Sequence, residues 1–231
     1  MPHPDTEKEN GKSDLTWKAY MAIRQMLFYN EIHSGQKIKY KDLSTRIGVS
    51  MTPVIQALKW LEFTNIVRHE TNKGYYVNEV SVKEVTEVYD ARLLIEVSLV
   101  PQILNNIDDQ GIQLLKKAIE NYRAAVEEDN YYKRIMTDMK FHMTLASLSE
   151  CSIQIKMLQG LFDVLLLRYS RNLFFLSVTD TSLPEHMKIF QSVENRNETA
   201  LESSLKFHID TVRSHIIKGM TRLIVDKKEF F

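Results

Sequence analysis

Residues 41–67 read KDLSTRIGVSMTPVIQALKWLEFTNIV and contain two short segments whose apolar residues follow helical spacing. The first segment spans 41–47 and the second spans 52–63, each with one apolar face. Gly48 suits the tight turn between them, and Ser50 is a good helix N-cap. Two short helices joined through a glycine-containing turn predict a helix-turn-helix.

The flanking segments extend this motif. Upstream, residues 14–32 have the periodicity of an amphipathic helix, which Asp14 can cap. Downstream, the β-prone runs 66–68 and 75–77 enclose a polar stretch that ends at Gly74. These runs predict a hairpin, the only strand signal that we find in the chain. A helix-turn-helix followed by a basic-tipped hairpin is a winged helix.

From residue 82 onward the apolar periodicity is helical almost without interruption. Pro101 lies inside the first segment and should kink or split it. Short polar breaks separate six predicted helices at 82–105, 109–128, 131–149, 152–176, 184–194 and 197–225. We therefore predict a mainly α protein with a disordered tail at 1–13, an N-terminal winged helix-turn-helix at 14–78, and a C-terminal all-α bundle of six to seven helices at 79–231.

Composition excludes several classes of protein. The 231 residues include only seven Gly and five Pro, which argues against a turn-rich β-sandwich or barrel. Cys151 is the single cysteine, so a disulfide scaffold is excluded, and a core role fits this residue better than a nucleophilic one. No segment has the ~18 uncharged apolar residues that a membrane span needs. Because the first twelve residues are polar, we expect no signal peptide, no membrane anchor and a cytoplasmic location.

Charge is unevenly distributed along the chain. Thirty basic and thirty acidic residues give no net charge. Residues 14–78 hold nine Lys or Arg against five Asp or Glu, whereas residues 79–231 hold 19 against 22. The excess of basic residues in 14–78, here called the head, favours nucleic-acid binding by that segment; residues 79–231, the body, are mildly acidic. A charge difference this small needs support from motifs.

Together these features resemble the GntR-type transcriptional regulators of the FCD subfamily, over residues 14–225. In the head the resemblance rests on the hydrophobic frame with Gly48-Val49-Ser50, Thr52-Pro53-Val54, Ala57-Leu58 ahead of Leu61-Glu62, and Gly74. In the body it rests on Asp90-x-Arg92 with Glu96, Asp138-x-x-Phe141-His142, and Glu185-His186 with His208 22 positions later. The resemblance implies a homodimer whose winged helix binds a double-stranded DNA operator and whose helical domain binds a metal and a small effector.

The second helix of a helix-turn-helix lies in the major groove, with its first residues at the base edges. Relatives usually carry guanine-reading arginines at the positions of Met51 and Ile55. Without these arginines we expect an altered operator sequence. Met51 and Ile55 would contact thymine methyl groups or no base at all, and base reading would be left to Gln56 and Thr52. The alternative is a winged helix that no longer binds DNA. Lys41 stands where relatives often carry a DNA-contacting arginine. The basic residues expected at DNA either neutralise phosphates or are ordinary solvated charges. The full set of residues expected at DNA is Lys39, Lys41, Ser50, Met51, Thr52, Ile55, Gln56, Lys59, Arg68, Lys73 and Gly74.

Four residues predict a metal site. Asp138 and His142 are four positions apart, so on a helix they leave the same face one turn apart. His186 and His208 come to similar height if their helices form an antiparallel hairpin. All four fall at the metal positions of the resembled family, and one carboxylate with three imidazoles suits a divalent transition metal, zinc first and nickel, manganese or iron as alternatives. His215 is expected in the core or facing a dimer partner, with support of a metal ligand as the alternative.

Arg92 has two interpretations that the sequence does not separate. In the resembled family the matching arginine is implicated in holding an acidic effector, which implies a small carboxylate ligand. Alternatively, it forms an internal ion pair with Glu96, four residues further on. Four residues that follow an apolar run are expected to line the same cavity: Arg168, Tyr169, Arg171 and Asn172.

The favoured function is a transcriptional regulator whose operator affinity changes when a small organic acid binds to the metal-containing bundle. A metal-dependent hydrolase is an alternative, because an Asp and three His with open positions can activate water. No catalytic base is distinguishable beside these ligands, so we do not expect an enzyme. The third interpretation is an interaction protein whose winged helix no longer binds DNA and whose helical domain holds no ligand in its cavity.

Overall fold

The computed structural model describes residues 11–168 and 181–229. They fold into two compact units. The N-terminal unit extends to Glu79 and includes residues 164–168, and the C-terminal unit comprises residues 80–163 and 181–229. The sequence-based division placed 164–168 in the C-terminal domain, whereas these residues group with the N-terminal unit because Leu167 packs in its core.

The N-terminal unit is a winged helix. Its helices are α1, Gly11–Phe28; α2, Tyr40–Ile47; and α3, Met51–Phe63. Its strands are β1, Lys37–Ile38; β2, Val67–Glu70; and β3, Gly74–Val77, in the antiparallel order β1-β3-β2. Helix α1 begins inside the tail expected at 1–13, and the first ten residues lie outside the described part of the chain.

Two local details differ from the sequence-based expectation. The hairpin is not the only strand pairing, because Lys37 and Ile38 form a third strand opposite Tyr76 and Tyr75. A two-residue strand is too short to show the alternation that identifies strands in a sequence. Ser50 occupies the N-cap position of α3, but its side chain makes no capping hydrogen bond.

Gly48 closes the turn between α2 and α3. Its φ of 73° lies in the left-handed region, which a residue with a Cβ adopts at a cost of roughly 1–2 kcal/mol. Its N–H donates to the Ser44 carbonyl, which ends α2. Beyond the turn, α3 packs against α1 through the fully buried Val54, Leu58 and Leu61. The opposite face of α3 is therefore left at the surface.

The C-terminal unit is all-helical in its described residues. Its seven helices there are α4, Val82–Ser98; α5, Val100–Asn106; α6, Asp109–Glu127; α7, Tyr131–Ser147; α8, Ser152–Arg168, whose last turn groups with the other unit; α9, Ser182–Glu194; and α10, Glu198–Glu229. The split predicted at Pro101 is confirmed, since α4 ends at Ser98 and α5 begins at Val100. The helix predicted at 152–176 is described only as far as Arg168.

Helix α6 packs along α7, and α10 packs along both α4 and α9. Ser81, Asp108 and Asn130 cap α4, α6 and α7, each accepting a hydrogen bond from the backbone N–H three residues further on. Helices α9 and α10 are joined by residues 195–197 alone and contact each other, so they form the predicted hairpin. Among the described residues, no helix combines the length and apolarity that crossing a membrane requires.

Candidate metal centre and nucleic-acid interface

The structure brings the four expected metal ligands together. Asp138 and His142 project from α7, His186 from α9 and His208 from α10. The atoms that they offer as ligands all lie within 4.8 Å of one another. The three histidines are buried, and Asp138 is partly exposed. Hairpin formation by α9 and α10 places His186 and His208 beside each other, with ring centroids 4.4 Å apart.

Each histidine is oriented by a hydrogen bond that its Nδ1 donates to an oxygen. The partner of His142 is Glu96 Oε2 at 2.6 Å, and that of His208 is Glu185 Oε2 at 2.8 Å. His186 Nδ1 lies 2.7 Å from the Ser182 carbonyl, which can only accept, so Nδ1 carries the proton. This pattern turns three Nε2 atoms toward the cluster, as in metal-binding histidines.

The donor set fits a metal ion. Among the described residues the three Nε2 atoms are buried and make no hydrogen bond, although His186 Nε2 lies 3.1 Å from Asp138 Oδ1. Burying a polar atom without a partner costs about 1–3 kcal/mol. Three such atoms converging beside a carboxylate are explained by a ligand that accepts their lone pairs, and a divalent cation does so.

Electrostatics favour the metal-binding form of two of the four groups, His208 and Asp138. Burial, and then the neighbouring His186 and His142, lower the pKa of His208 well below its ordinary value, so its imidazole is neutral near pH 7. Burial alone would raise the pKa of Asp138, but contact with His186 and the surrounding histidines lower it below its usual range. The site therefore offers an ionised carboxylate and neutral imidazole.

Sequence reasoning missed the groups that support the cluster. Glu96 was considered only as a partner of Arg92, and no periodicity links Glu185 to a histidine 23 positions away. Tyr122 on α6 packs its ring 4.6 Å from the His186 ring. Burial, followed by the charge of Asp138, raises the pKa of Tyr122 to about 12, so its hydroxyl stays protonated.

Arg92 forms the internal ion pair. Its Nε donates to Glu96 Oε1 at 3.1 Å, and both side chains are buried. The guanidinium also lies over the rings of Phe162, at 4.6 Å, and Tyr89, at 5.2 Å. Arg92 Nη2 is buried and has no hydrogen-bond partner among the described residues. The ion pair thus leaves one nitrogen, Nη2 with its two N–H groups, for a further ligand.

Among the other expected residues, the structure describes Arg168 and His215, whereas Tyr169 lies outside its described part. Arg168 belongs to the N-terminal unit, where its Nη2 donates to the Glu79 carbonyl at 2.7 Å. Arg171 and Asn172 lie outside the described residues. His215 is exposed, with Nδ1 2.9 Å from the Thr211 carbonyl, so the expected core position is wrong.

The outer face of α3 presents the residues expected at base edges. Met51, Thr52, Gln56 and Lys59 are exposed and Ile55 is half-buried. Lys39, Lys41 and Ser50 are exposed nearby in the chain. Gln56 is not free, since its Oε1 accepts a hydrogen bond from Thr16 Oγ1 at 2.8 Å. Bidentate reading of adenine needs both ends of the amide, so this contact argues against the expected role of Gln56.

The basic residues of the wing are engaged with an acid. Glu70 lies 3.2 Å from Arg68 Nε and 3.4 Å from Lys73 Nζ. Arg68 also donates to the Val77 carbonyl at 3.1 Å. Gly74, with φ of 98°, starts the returning strand. A phosphate must therefore compete with Glu70 for both cations.

Comparison with known proteins agrees with this fold. Residues 15–77 match the family of bacterial regulatory proteins called gntR, and residues 87–211 match the FCD domain. The HTH-type transcriptional regulator YdhC of Bacillus subtilis (strain 168) is 25% identical over 202 residues, covering 85% of this chain and 88% of YdhC. The HTH-type transcriptional repressor RspR of Escherichia coli (strain K12) is 22% identical over 208 residues, covering 90% and 91%.

Solved structures share the architecture. The E. coli protein McbR/YncC superposes with a TM-score of 0.76, at 18% sequence identity, over 88% of this chain and 97% of that one. At this identity the likeness establishes the fold. The two matched domains follow the order of the winged helix and the helical unit described above. The chain therefore belongs to the GntR family of bacterial regulatory proteins, in the group with an FCD domain, and is a DNA-binding transcriptional regulator, not an enzyme.

Proposed function

We propose that the C-terminal unit binds one divalent transition metal, zinc first and nickel, manganese or iron as alternatives, through Asp138, His142, His186 and His208. The observation that carries this proposal is the convergence of four donor atoms within 4.8 Å, three of them buried Nε2 atoms. When bound, the ion supplies positive charge and open coordination positions for a small acid.

Metal content of the purified full-length chain tests this site. His208→Ala should abolish stoichiometric zinc binding, because it removes one of the buried donors. His215→Ala is a matched control, since it removes an exposed histidine seven positions later on the same helix. Full zinc retention by His208→Ala would refute the site, as would equal loss in both variants.

The acid that controls the regulator is, in this proposal, a small carboxylate held by Arg92 and the metal-bearing cluster. Arg92 Nη2 supports this, because it is a buried cationic donor without a partner among the described residues. An arginine of this kind pairs well with a carboxylate. Arg168 is left out of this proposal, because its Nη2 donates to the Glu79 carbonyl.

Thermal melting of the zinc-loaded full chain with a panel of small mono- and dicarboxylates tests the effector. A ligand at 100 times its dissociation constant adds about 2.7 kcal/mol of stability. The shift should disappear in Arg92→Met. A panel in which every carboxylate leaves the melting temperature unchanged would contradict the proposal.

The regulator is proposed to bind a two-fold operator as a homodimer. One winged helix reads one half-site, so a palindromic operator needs two. Large apolar side chains at the surface of the C-terminal unit are candidates for the dimer contact: Leu94, Leu114, Ile153, Met157 and Phe207. Light scattering of the full chain should give twice its mass of 27.0 kDa. A monomer at micromolar concentration would contradict this assembly.

Control of transcription then requires that the acid bind more tightly to one arrangement of the dimer than to another. A mobility shift on the promoter beside the gene for this chain should change when the acid identified by melting is added. Equal operator affinity with and without a bound acid would show that the ligand is not the regulator's signal.

A further inference from the structure

Glu96 contacts two functional groups at once. Its Oε1 accepts from Arg92 Nε at 3.1 Å, and its Oε2 lies 2.6 Å from His142 Nδ1. Glu96 and Arg92 are one turn apart on α4, whereas His142 is on α7. All three side chains are at least nine-tenths buried. Both carboxylate oxygens are therefore committed, one to the guanidinium and one to the imidazole.

The surroundings of Arg92 fix the far end of this chain of contacts. Besides pairing with the carboxylate, the guanidinium lies over the rings of Tyr89 and Phe162, at 5.2 and 4.6 Å from their centroids. Each contact restrains a planar group that would otherwise rotate, so the Glu96 carboxylate has one orientation that satisfies both partners.

We propose that Glu96 is a positioning residue of the metal centre and that Arg92 acts on metal affinity through Glu96, independently of any effector. The inference rests on the proposed metal site. The carboxylate accepts the Nδ1 hydrogen of His142, which leaves Nε2 unprotonated and aimed at Asp138, His186 and His208. Arg92 in turn holds the carboxylate. A glutamine at 96 can donate to Nδ1 instead, which stabilises the wrong tautomer of His142.

Zinc affinity of the full-length chain, measured by competition with a chromophoric chelator and without any acid, tests this chain of contacts. Glu96→Gln should weaken zinc binding by about 10- to 100-fold. Glu87→Gln is the matched control, because Glu87 is an exposed carboxylate on the same helix, paired only with Lys83 among the described residues. It should leave affinity unchanged.

Arg92 is tested by the double variant. Arg92→Met should also weaken zinc binding in the absence of acid. If Arg92 only held an effector, this substitution would leave zinc affinity unchanged. Arg92→Met/Glu96→Gln should bind zinc no more weakly than Glu96→Gln alone, because both changes break one chain of contacts. Additive losses would overturn the claim that Arg92 acts through Glu96.

The outcomes separate this inference from the metal site itself. If His142→Ala retains zinc, the proposed site fails. If His142→Ala loses zinc but Glu96→Gln binds within twofold of the original chain, the site stands and the positioning role is overturned. Should Glu96→Gln fail to fold, nitrogen-15 NMR of the zinc-loaded original chain decides: His142 should bind zinc through Nε2 and carry its proton on Nδ1, and a zinc-bound His142 with its proton on Nε2 would refute the proposal.

Discussion

Glu185 Oε2 lies 2.8 Å from His208 Nδ1 and connects α9 to α10 beside the cluster of candidate metal ligands. Both side chains are buried, so each satisfies a polar group that water does not reach. Because the carboxylate accepts the Nδ1 hydrogen, His208 Nε2 is left to face Asp138 and the other histidines. The hairpin thus supplies both a candidate metal ligand, His208, and the group that orients it, Glu185.

Replacement of Glu185 by glutamine should weaken the retention of zinc. The amide can donate to His208 Nδ1 and so favours the tautomer with a proton on Nε2. In that tautomer Nε2 has no free lone pair for a metal. We expect zinc affinity to fall by about 10- to 100-fold. Dialysis against a graded chelator measures it, with Glu194→Gln, an exposed carboxylate on the same helix, as control. Equal retention in both variants would contradict the role of Glu185.

The metal-free protein should lose stability as the pH falls below about 6.5, the ordinary pKa of histidine. Burial lowers the pKa of His208 in the folded state, so the unfolded chain takes up the proton first and is favoured by acid. The lowered pKa of Asp138 adds a further loss only below its ordinary value of 3.8. Urea unfolding in chelator at pH 7.5, 6.5 and 5.5 measures the effect. A variant His208→Gln should show a smaller loss; an equal loss would contradict the assignment.

Glu70→Gln should increase affinity for duplex DNA by about two- to fivefold, because the change releases Arg68 and Lys73 from ion pairs that compete with phosphates. Fluorescence anisotropy at several salt concentrations measures affinity and salt dependence together. Glu62→Gln is the control, because it also removes one negative charge, from α3. Glu62 forms no ion pair among the described residues, so its replacement should raise DNA affinity less. Equal gains would show that only net charge matters.

Lys41→Ala should weaken binding to all duplexes about equally and reduce the slope of affinity against salt by about one phosphate contact. Lys41 is exposed in the first turn of α2, and a phosphate contact is independent of base sequence. Binding measurements on the operator and on a scrambled duplex test this. A loss confined to the operator would instead assign Lys41 to base reading.

Gln56→Ala should leave the preferred operator sequence unchanged and reduce stability by about 1 kcal/mol, the usual value of a lost hydrogen bond. The reason is that Gln56 Oε1 already accepts from Thr16. Binding selection from a random duplex library, followed by sequencing, measures the preference. Loss of one preferred adenine in the variant would show that Gln56 leaves Thr16 and reads a base.

Apolar periodicity was sufficient to predict the helices and the winged head, because burial of one helix face dictates the spacing of Val54, Leu58 and Leu61. It did not reveal β1, whose two residues are fixed by pairing with β3. The four candidate ligands stand out because Asp138 and His142 share a helix face and the histidines fall at family spacings. Glu185 does not stand out, since its contact with His208 exists only once α9 and α10 have paired.

Zinc K-edge X-ray absorption of the full-length, zinc-loaded chain measures the proposed ligands themselves. We predict a first coordination sphere of three imidazole nitrogens at about 2.0–2.1 Å together with oxygen ligands at about 2.0–2.2 Å, and the loss of one imidazole in His208→Ala. A sphere that contains sulfur, or one that keeps the same number of imidazoles in His208→Ala, would contradict binding by Asp138, His142, His186 and His208.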